Sequence, residues 1–226
     1  MRVALFGASG MVGQGVLREC LLDDRVDTVV SAGRRQLDVT HPKLRHIVHA
    51  DLGDLTSLAA DLTGLDACFY CLGVSSAGLS EQDYRTVSYD YPLAAARTLE
   101  TSSPHLTFVY VSGEGADPTG TSRTMWARVR GETENVLLGM DLPVYVFRPG
   151  YISPRNGERS RTGSYRVTYA LTSWMYPFLR RVAPGHVTST EHIGRAMLAT
   201  AGLHGTGPHV LHSAEINRLA ESAVAV

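Results

Sequence analysis

The sequence predicts an α/β fold built on a doubly wound parallel sheet, and three observations predict it. Short apolar runs alternate with helix-length segments from the N-terminus to about residue 147. The runs are apolar on both faces, which suits strands covered by helices on either side. The first run passes directly into a glycine-rich turn that opens a helix.

The elements follow in order. Val3–Phe6 is a short buried-type strand, and Val12, Val16, Leu17, Cys20 and Leu21 then recur at helical spacing. Thr28–Ala32, Leu44–Val48, Ala67–Cys71, Thr107–Val111 and Val144–Phe147 are five further strands, bounded by Gly, Pro, Asp or Ser. Helices fall near Leu55–Leu62, Ser80–Thr101 and Arg123–Leu138, with Gly139 as a stop signal. Beyond Phe147 the pattern loosens. Ser153–Arg166 reads as a polar loop carrying Arg155, Arg159, Arg161 and Arg166, and Tyr169–Val182 as an aromatic, apolar helix interrupted at Pro177. Glu191–Leu203 is another helix, Val210–Leu211 a short strand, and Ala220–Val226 a fraying end. Residues 1–226 read as a single domain, with 151–226 contributing most of a small C-terminal substrate or lid lobe over the sheet edge.

Composition narrows the function classes. The chain has 226 residues and a net charge of −1, with no basic block, which argues against nucleic-acid and membrane-surface binding. No apolar run approaches the ~20 residues of a membrane span. The N-terminus MRVALFGASG enters the first strand without a signal-peptide pattern. Three cysteines make no even disulfide framework, and a reducing, cytoplasmic location is expected. Of 21 basic side chains, Lys43 is the only lysine, so any chemistry that needs a lysine must use it or do without.

The turn Gly7-Ala-Ser-Gly10-Met-Val-Gly13 has the spacing of a dinucleotide site. Gly7 permits the tight turn, Gly10 lets backbone approach a pyrophosphate, and Gly13 allows close helix–strand packing. Ser9, Met11 and Val12 fill the turn and the first helical positions, where free N–H groups meet the phosphates. An NAD site places a carboxylate about 20 residues past the turn, at the end of the second strand. Here that place reads Ala32-Gly33-Arg34-Arg35, with no acid between Asp27 and Asp38. Two guanidinium groups suit a 2′-phosphate, so NADP(H) is favoured over NAD(H), with Arg34 ahead of Arg35 as its ligand. The alternative is a pair of solvated surface arginines. Asp51-Leu52, just past the third strand, is placed to bracket an adenine.

With these residues in view, the chain resembles the short-chain dehydrogenase/reductase superfamily, in its extended and atypical (epimerase/dehydratase-like) branches. The matching motifs are Gly7–Gly13, Asp51-Leu52, Leu72-Gly73, Val109-Tyr-Val-Ser112, Gly131-Glu-Thr-Glu134 and Arg148-Pro-Gly-Tyr-Ile152. The resemblance is strong over 2–154 and continues more weakly to about 211. It implies a Rossmann-type sheet, a nicotinamide cofactor also met by Leu72, Gly73, Pro149, Gly150 and Ile152, and a pocket between the strand ends and the C-terminal lobe. Catalytic members use a Ser, a Tyr and a Lys four residues after the Tyr. Ser112 matches the Ser position, but the other two read Trp126 and Arg130. An indole N–H donates a hydrogen bond yet cannot transfer a proton near neutral pH. Arg130 can keep the charge and the ribose contacts of the missing lysine. An enzyme must therefore find its acid elsewhere, and Tyr151, beside Pro149-Gly150, ranks ahead of Tyr84, Asp90, Tyr165 and Tyr169, while Ser88 stands where many relatives have Asn.

Other constellations read as structure. Ser112 could equally be a hydroxyl closing a strand, and Trp126 a pocket-wall aromatic. Cys68 and Cys71 are three apart on a strand and face opposite sides, so they belong to the core. His41, His46 and His49 lack a ligand spacing, and no metal is expected. The expected partner is a small carbonyl-containing metabolite, reduced or isomerised, with a homodimer left open. The alternative is a non-catalytic NADP(H)-binding redox sensor or scaffold; a nucleotide-sugar epimerase is disfavoured, because it needs the same missing tyrosine.

Overall fold

The computed structural model describes residues 1–158, 181, 183 and 185–222. Seven parallel strands form one sheet: β1 (Arg2–Phe6), β2 (Thr28–Gly33), β3 (Leu44–Val48), β4 (Ala67–Tyr70), β5 (Thr107–Val111), β6 (Val144–Arg148) and, further along the chain, β9 (Val210–His212). Their spatial order is β3-β2-β1-β4-β5-β6-β9, the doubly wound parallel arrangement that the sequence predicts. The winding reverses between β1 and β4, and ligands of open α/β sheets bind at the C-terminal strand ends beside such a reversal.

Helix α1 (Met11–Leu22) follows β1, and α2 (Glu81–Arg85) with α3 (Tyr91–Ser102) follows β4. Helix α4 (Met125–Leu138) joins β5 to β6, and a small two-stranded sheet pairs β7 (Tyr151–Ser153) with β8 (Val187–Ser189). Helices α5 (Thr190–Ala201) and α6 (Ser213–Ser222) flank β9. Side chains along each strand alternate between two cores. Ala4 and Phe6 join the core under α3 and α4, while Val3 and Leu5 join the core under α1, α5 and α6. Helices thus cover both faces of the sheet.

The structure corrects several sequence expectations. The helix expected at Leu55–Leu62 is only a 3-10 turn, Thr56–Leu58, because Asp54 captures the Thr56 N–H at 2.9 Å and Gly64 turns the chain at positive φ. The single helix expected at Ser80–Thr101 is broken by a π-turn at Thr86–Asp90. Pro92 has no N–H to give the carbonyl of Ser88, and that carbonyl takes the Thr133 hydroxyl instead, at 2.9 Å. The C-terminal end does not fray from Ala220, since α6 runs to Ser222 and Ala220 is fully buried. Much of 151–222 also builds the main unit: β9 extends the sheet, and α5 packs against α1. The helix expected at Tyr169–Val182, together with Arg159, Arg161, Tyr165 and Arg166, lies outside the described residues, save Arg181.

Cys68 and Cys71 do face opposite cores, as the strand spacing requires. Burial pushes both thiols far above the range of a reactive cysteine. His41, His46 and His49 bond to backbone: His46 to the Arg35 carbonyl, His49 to the Asp54 carbonyl, and His41 to the Lys43 N–H. Among the described residues no three of His, Cys, Asp or Glu gather closely enough to hold a metal ion.

Candidate dinucleotide cleft

The glycine turn is built as its spacing demands. Gly7 sits at φ +86, and a Cβ there would lie 2.5 Å from the Leu72 nitrogen, so turn and β4 loop touch backbone to backbone. A Cβ on Gly13 would overlap the Gly7 carbonyl, so helix and turn could not close on any larger residue. Gly10 is different. A Cβ there would meet only the Gly7 carbonyl, at 3.4 Å, leaving its outer side open. Gly10 is also the N-cap of α1, with no side-chain cap and no acid in the first helical turn. Backbone donors and the positive end of the helix dipole therefore face the space beside Gly10. Met11 is buried, and Val12 and Ile152 pack on the α1-side core, so those three shape the site through packing.

One end of the cleft is walled by Gly7, Ala8, Ser9, Arg34, Arg35, Leu52 and Leu72. Six of these come from the cofactor set read from the sequence; Asp51 spends its carboxylate on the Gly53 N–H and lines no wall here. Arg34 and Arg35 are exposed, and neither has an ion-pair partner among the described residues. Two further polar residues, neither assigned to the cofactor from the sequence, line the same wall. Ser31 on β2 and His46 on β3 are register partners, and the buried Ser31 Oγ and His46 Nδ1 have no hydrogen-bond partner among the described residues. Because His46 Nε2 donates to the Arg35 carbonyl at 2.8 Å, Nδ1 is left as the acceptor. A roomier cavity of about 590 Å³ lies along the outer flank of α1, sharing only Ala8, Ser9 and Leu37 with the cleft. It lacks the strand-end residues that a ribose must meet.

A second group of residues gathers at the C-terminal ends of β5 and β6, next to Gly73 and so beside Leu72 of the first wall. Ser112 follows β5, is 6% exposed, and its Oγ has no partner among the described residues. Arg130 on α4 donates Nε to the Tyr84 hydroxyl at 2.9 Å and Nη1 to the Val111 carbonyl at 3.2 Å. Its Nη2 points at Gly73, where a Cβ would lie 3.4 Å away. The guanidinium is thus held by two neutral groups with one edge turned toward the β4 loop. Nearby Glu134 is already spent in a buried bidentate pair with Arg148. Trp126, one turn before Arg130, lays its ring against Gly115. Tyr84 is 1% exposed and committed to Arg130, and burial pushes the Tyr110 phenol up to about 12. Tyr151 opens β7 and gives its N–H to the His186 carbonyl.

Glycine turn, doubly wound sheet and strand-end cleft define a dinucleotide-binding domain of Rossmann type. No family model matches the chain. It is 29% identical over 209 residues to Protein HTATIP2 of Rattus norvegicus, covering 91% of this chain and 83% of that protein. It is 30% identical over 165 residues to the mitochondrial protein fmp52 of Emericella nidulans, covering 69% of each. Solved structures share the fold at lower identity. The Helicobacter pylori ADP-L-glycero-D-manno-heptose-6-epimerase superposes with a TM-score of 0.68 at 15% identity, over 98% of this chain and 82% of that one. A short chain dehydrogenase family protein from Francisella tularensis gives 0.64 at 14%, over 90% and 92%. The chain belongs to the NAD(P)-binding short-chain dehydrogenase/reductase superfamily, among its atypical, epimerase-like members.

Proposed function

We propose that the protein binds NADP(H) and acts as an oxidoreductase or isomerase on a small carbonyl-containing metabolite, without the usual Tyr/Lys pair. The observation that carries this reading is the placing of two unpaired arginines, Arg34 and Arg35, on the same wall as the open glycine turn. A 2′-phosphate meets such a fork through bidentate, charge-assisted bonds. Solved relatives in fold include MoeE5 in complex with UDP-glucose and NAD, which supports a dinucleotide in this cleft. The residues at Ser31 and His46 fit an adenosine ribose, since their unpartnered polar atoms would gain partners.

When bound, the nicotinamide supplies or takes a hydride. The chain's own residues do the rest. Arg130 turns its free edge to the ribose side, in place of a lysine, and the unpartnered Ser112 hydroxyl orients the substrate carbonyl. A reducing compartment suits the three free thiols.

The test is a pair of fluorescence titrations with NADPH and NADH, repeated after Arg34→Ala. NADPH should bind more tightly, and the substitution should remove that preference by about tenfold or more, as the loss of a charge-assisted pair implies. Equal affinities in the unmutated protein would remove the basis for NADP(H). NADPH oxidation across a carbonyl panel then tests turnover. Trp126 in place of the phenol favours a second reading, a non-catalytic NADP(H) sensor. That reading requires tight NADPH binding, no turnover, and partner proteins captured only when NADPH is present.

A further inference from the structure

The structure assigns a proton-transferring carboxylate–imidazole pair, Glu114 and His186, to the carbonyl-binding end of the cleft. This inference rests on the dinucleotide reading above and supplies the acid that Trp126 cannot. Glu114 stands two residues past Ser112 and anchors its N–H on the Pro149 carbonyl at 3.0 Å. His186 immediately precedes β8, and its carbonyl takes the Tyr151 N–H at 2.8 Å. The two side chains meet at 2.5 Å, Glu114 Oε1 to His186 Nδ1. Both also close on Gly150: a Cβ there would overlap the Glu114 carboxylate and the His186 carbonyl. Glycine at 150 thus lets the end of β5, the end of β6 and the start of β8 meet at one point.

The chemistry follows from the geometry. A carboxylate at Nδ1 fixes the imidazole tautomer and leaves Nε2 as the working nitrogen. The His186 side chain is 70% exposed, so Nε2 is open to a ligand. A pair this exposed adds little to folding. In the reducing direction the carbonyl carbon accepts a hydride from the reduced nicotinamide, and the C=O π pair moves to oxygen. His186 acts from its doubly protonated form, with Nδ1–H held by Glu114. The Nε2–H bond breaks, its electron pair stays on nitrogen, and the proton goes to that oxygen. The neutral Nδ1–H imidazole then regains a proton from solvent. The sum is one carbonyl, one reduced nicotinamide and one proton giving one alcohol and one oxidised nicotinamide. Ser112 Oγ holds the oxygen, and Glu114 is a positioning residue that acts through His186.

The test maps carbethoxylation of His186 by diethyl pyrocarbonate, read by peptide mass spectrometry, alone, with NADP+, and with 2′,5′-ADP, which lacks the nicotinamide half. At saturation NADP+ should slow His186 modification by about tenfold, as occupancy of a shared space requires, while 2′,5′-ADP leaves it unchanged. His186→Gln should lower carbonyl turnover by about 10²-fold or more, the usual share of a general acid, with NADP+ affinity kept within about twofold. Glu114→Gln should release the ring from a single Nδ1–H tautomer, with ¹⁵N spectra of the ring as the readout. NADP+ that binds without protecting His186, or full turnover in His186→Gln, overturns the pair while leaving the cofactor reading intact. Failure of both NADP+ and 2′,5′-ADP to bind overturns the cofactor reading, and the pair with it.

Discussion

At the scale of single residues, two glycines in the same turn have different jobs, and alanine separates them. At Gly13 a methyl group would overlap the Gly7 carbonyl and crowd Ala8 Cα at 2.9 Å, so backbone must move. Gly13→Ala should therefore lower stability by about 1–3 kcal/mol in chemical denaturation, the range for overpacking a tight contact. At Gly10 the only neighbour stands 3.4 Å away. Gly10→Ala should keep stability within about 1 kcal/mol, as an N-cap exchange without a side-chain bond does, while obstructing the pyrophosphate and weakening NADPH binding. A second contrast concerns ion pairs. Glu134 is 1% exposed beneath Arg148, whose side chain is 17% exposed. Glu134→Leu therefore strands a partly buried guanidinium at a cost of about 2–4 kcal/mol, somewhat below that of a fully buried charge. Glu132 pairs with Arg85 at 46% exposure, and Glu132→Leu should cost only about 0–1 kcal/mol in the same denaturation assay.

At the scale of elements, the loop between β5 and α4 links stability to pH. Its Asp117 carboxylate accepts the Thr119 hydroxyl at 2.6 Å and the Ser122 N–H at 2.6 Å, which hold its pKa down at about 2. A folded pKa below the unfolded value near 4 contributes stability that is present above about pH 4 and lost as pH falls toward 2. Asp117→Asn should therefore lower the melting temperature at pH 7, with the deficit shrinking between pH 4 and 2; a deficit constant across that range would refute the linkage. The same loop carries Glu114, and the Asp117 carbonyl sits against Gly131 of α4, so its order bears on the cleft. Elements like these divide what sequence could show from what it could not. The turn, the six early strands and α1 were legible, because each is defined by a local pattern of apolar spacing and glycine. Strand β8 was not: Val187-Thr188-Ser189 looks polar, yet it is buried, with Asn217 of α6 accepting from the Thr188 hydroxyl and donating to the Val187 carbonyl at 2.8 Å each. The π-turn follows from Pro92, yet the group that satisfies the freed Ser88 carbonyl, the Thr133 hydroxyl, lies on another helix. The site divides the same way. Arg34, Arg35 and Ser112 follow local motifs, whereas Glu114 and His186 are 72 residues apart and meet only because β7 pairs with β8.

At the scale of the whole molecule, the question is whether the segment after residue 158 is an appendage or part of the structural core. The core under α1 is closed from outside by α5 and α6. Gly15 of α1 meets Thr190 so closely that a Cβ would lie 2.5 Å from it, and Gly194 accommodates Glu19 in the same way. Ile193, Met197 and Ile216 are fully buried there, and Leu198 is 4% exposed. Burial of such side chains contributes about 1.5–3 kcal/mol each, so these four account for on the order of 6–12 kcal/mol, comparable with a typical total stability of about 5–15 kcal/mol. Removing them would also strip β9 from β6 and bare a new sheet edge. A chain ending at residue 158 contains the whole glycine turn, Arg34, Arg35, Ser112 and Arg130, yet it should not hold a native cleft. It should keep far-UV circular dichroism, lose near-UV signal, bind the dye ANS and bind no NADPH. Cooperative unfolding of that shortened chain near the full-length midpoint would instead show that 1–158 carries its own core, with α5 and α6 an addition to it. The packing of α5 on α1 argues for the first outcome, because the dinucleotide turn is held from behind by the helix that this last segment covers.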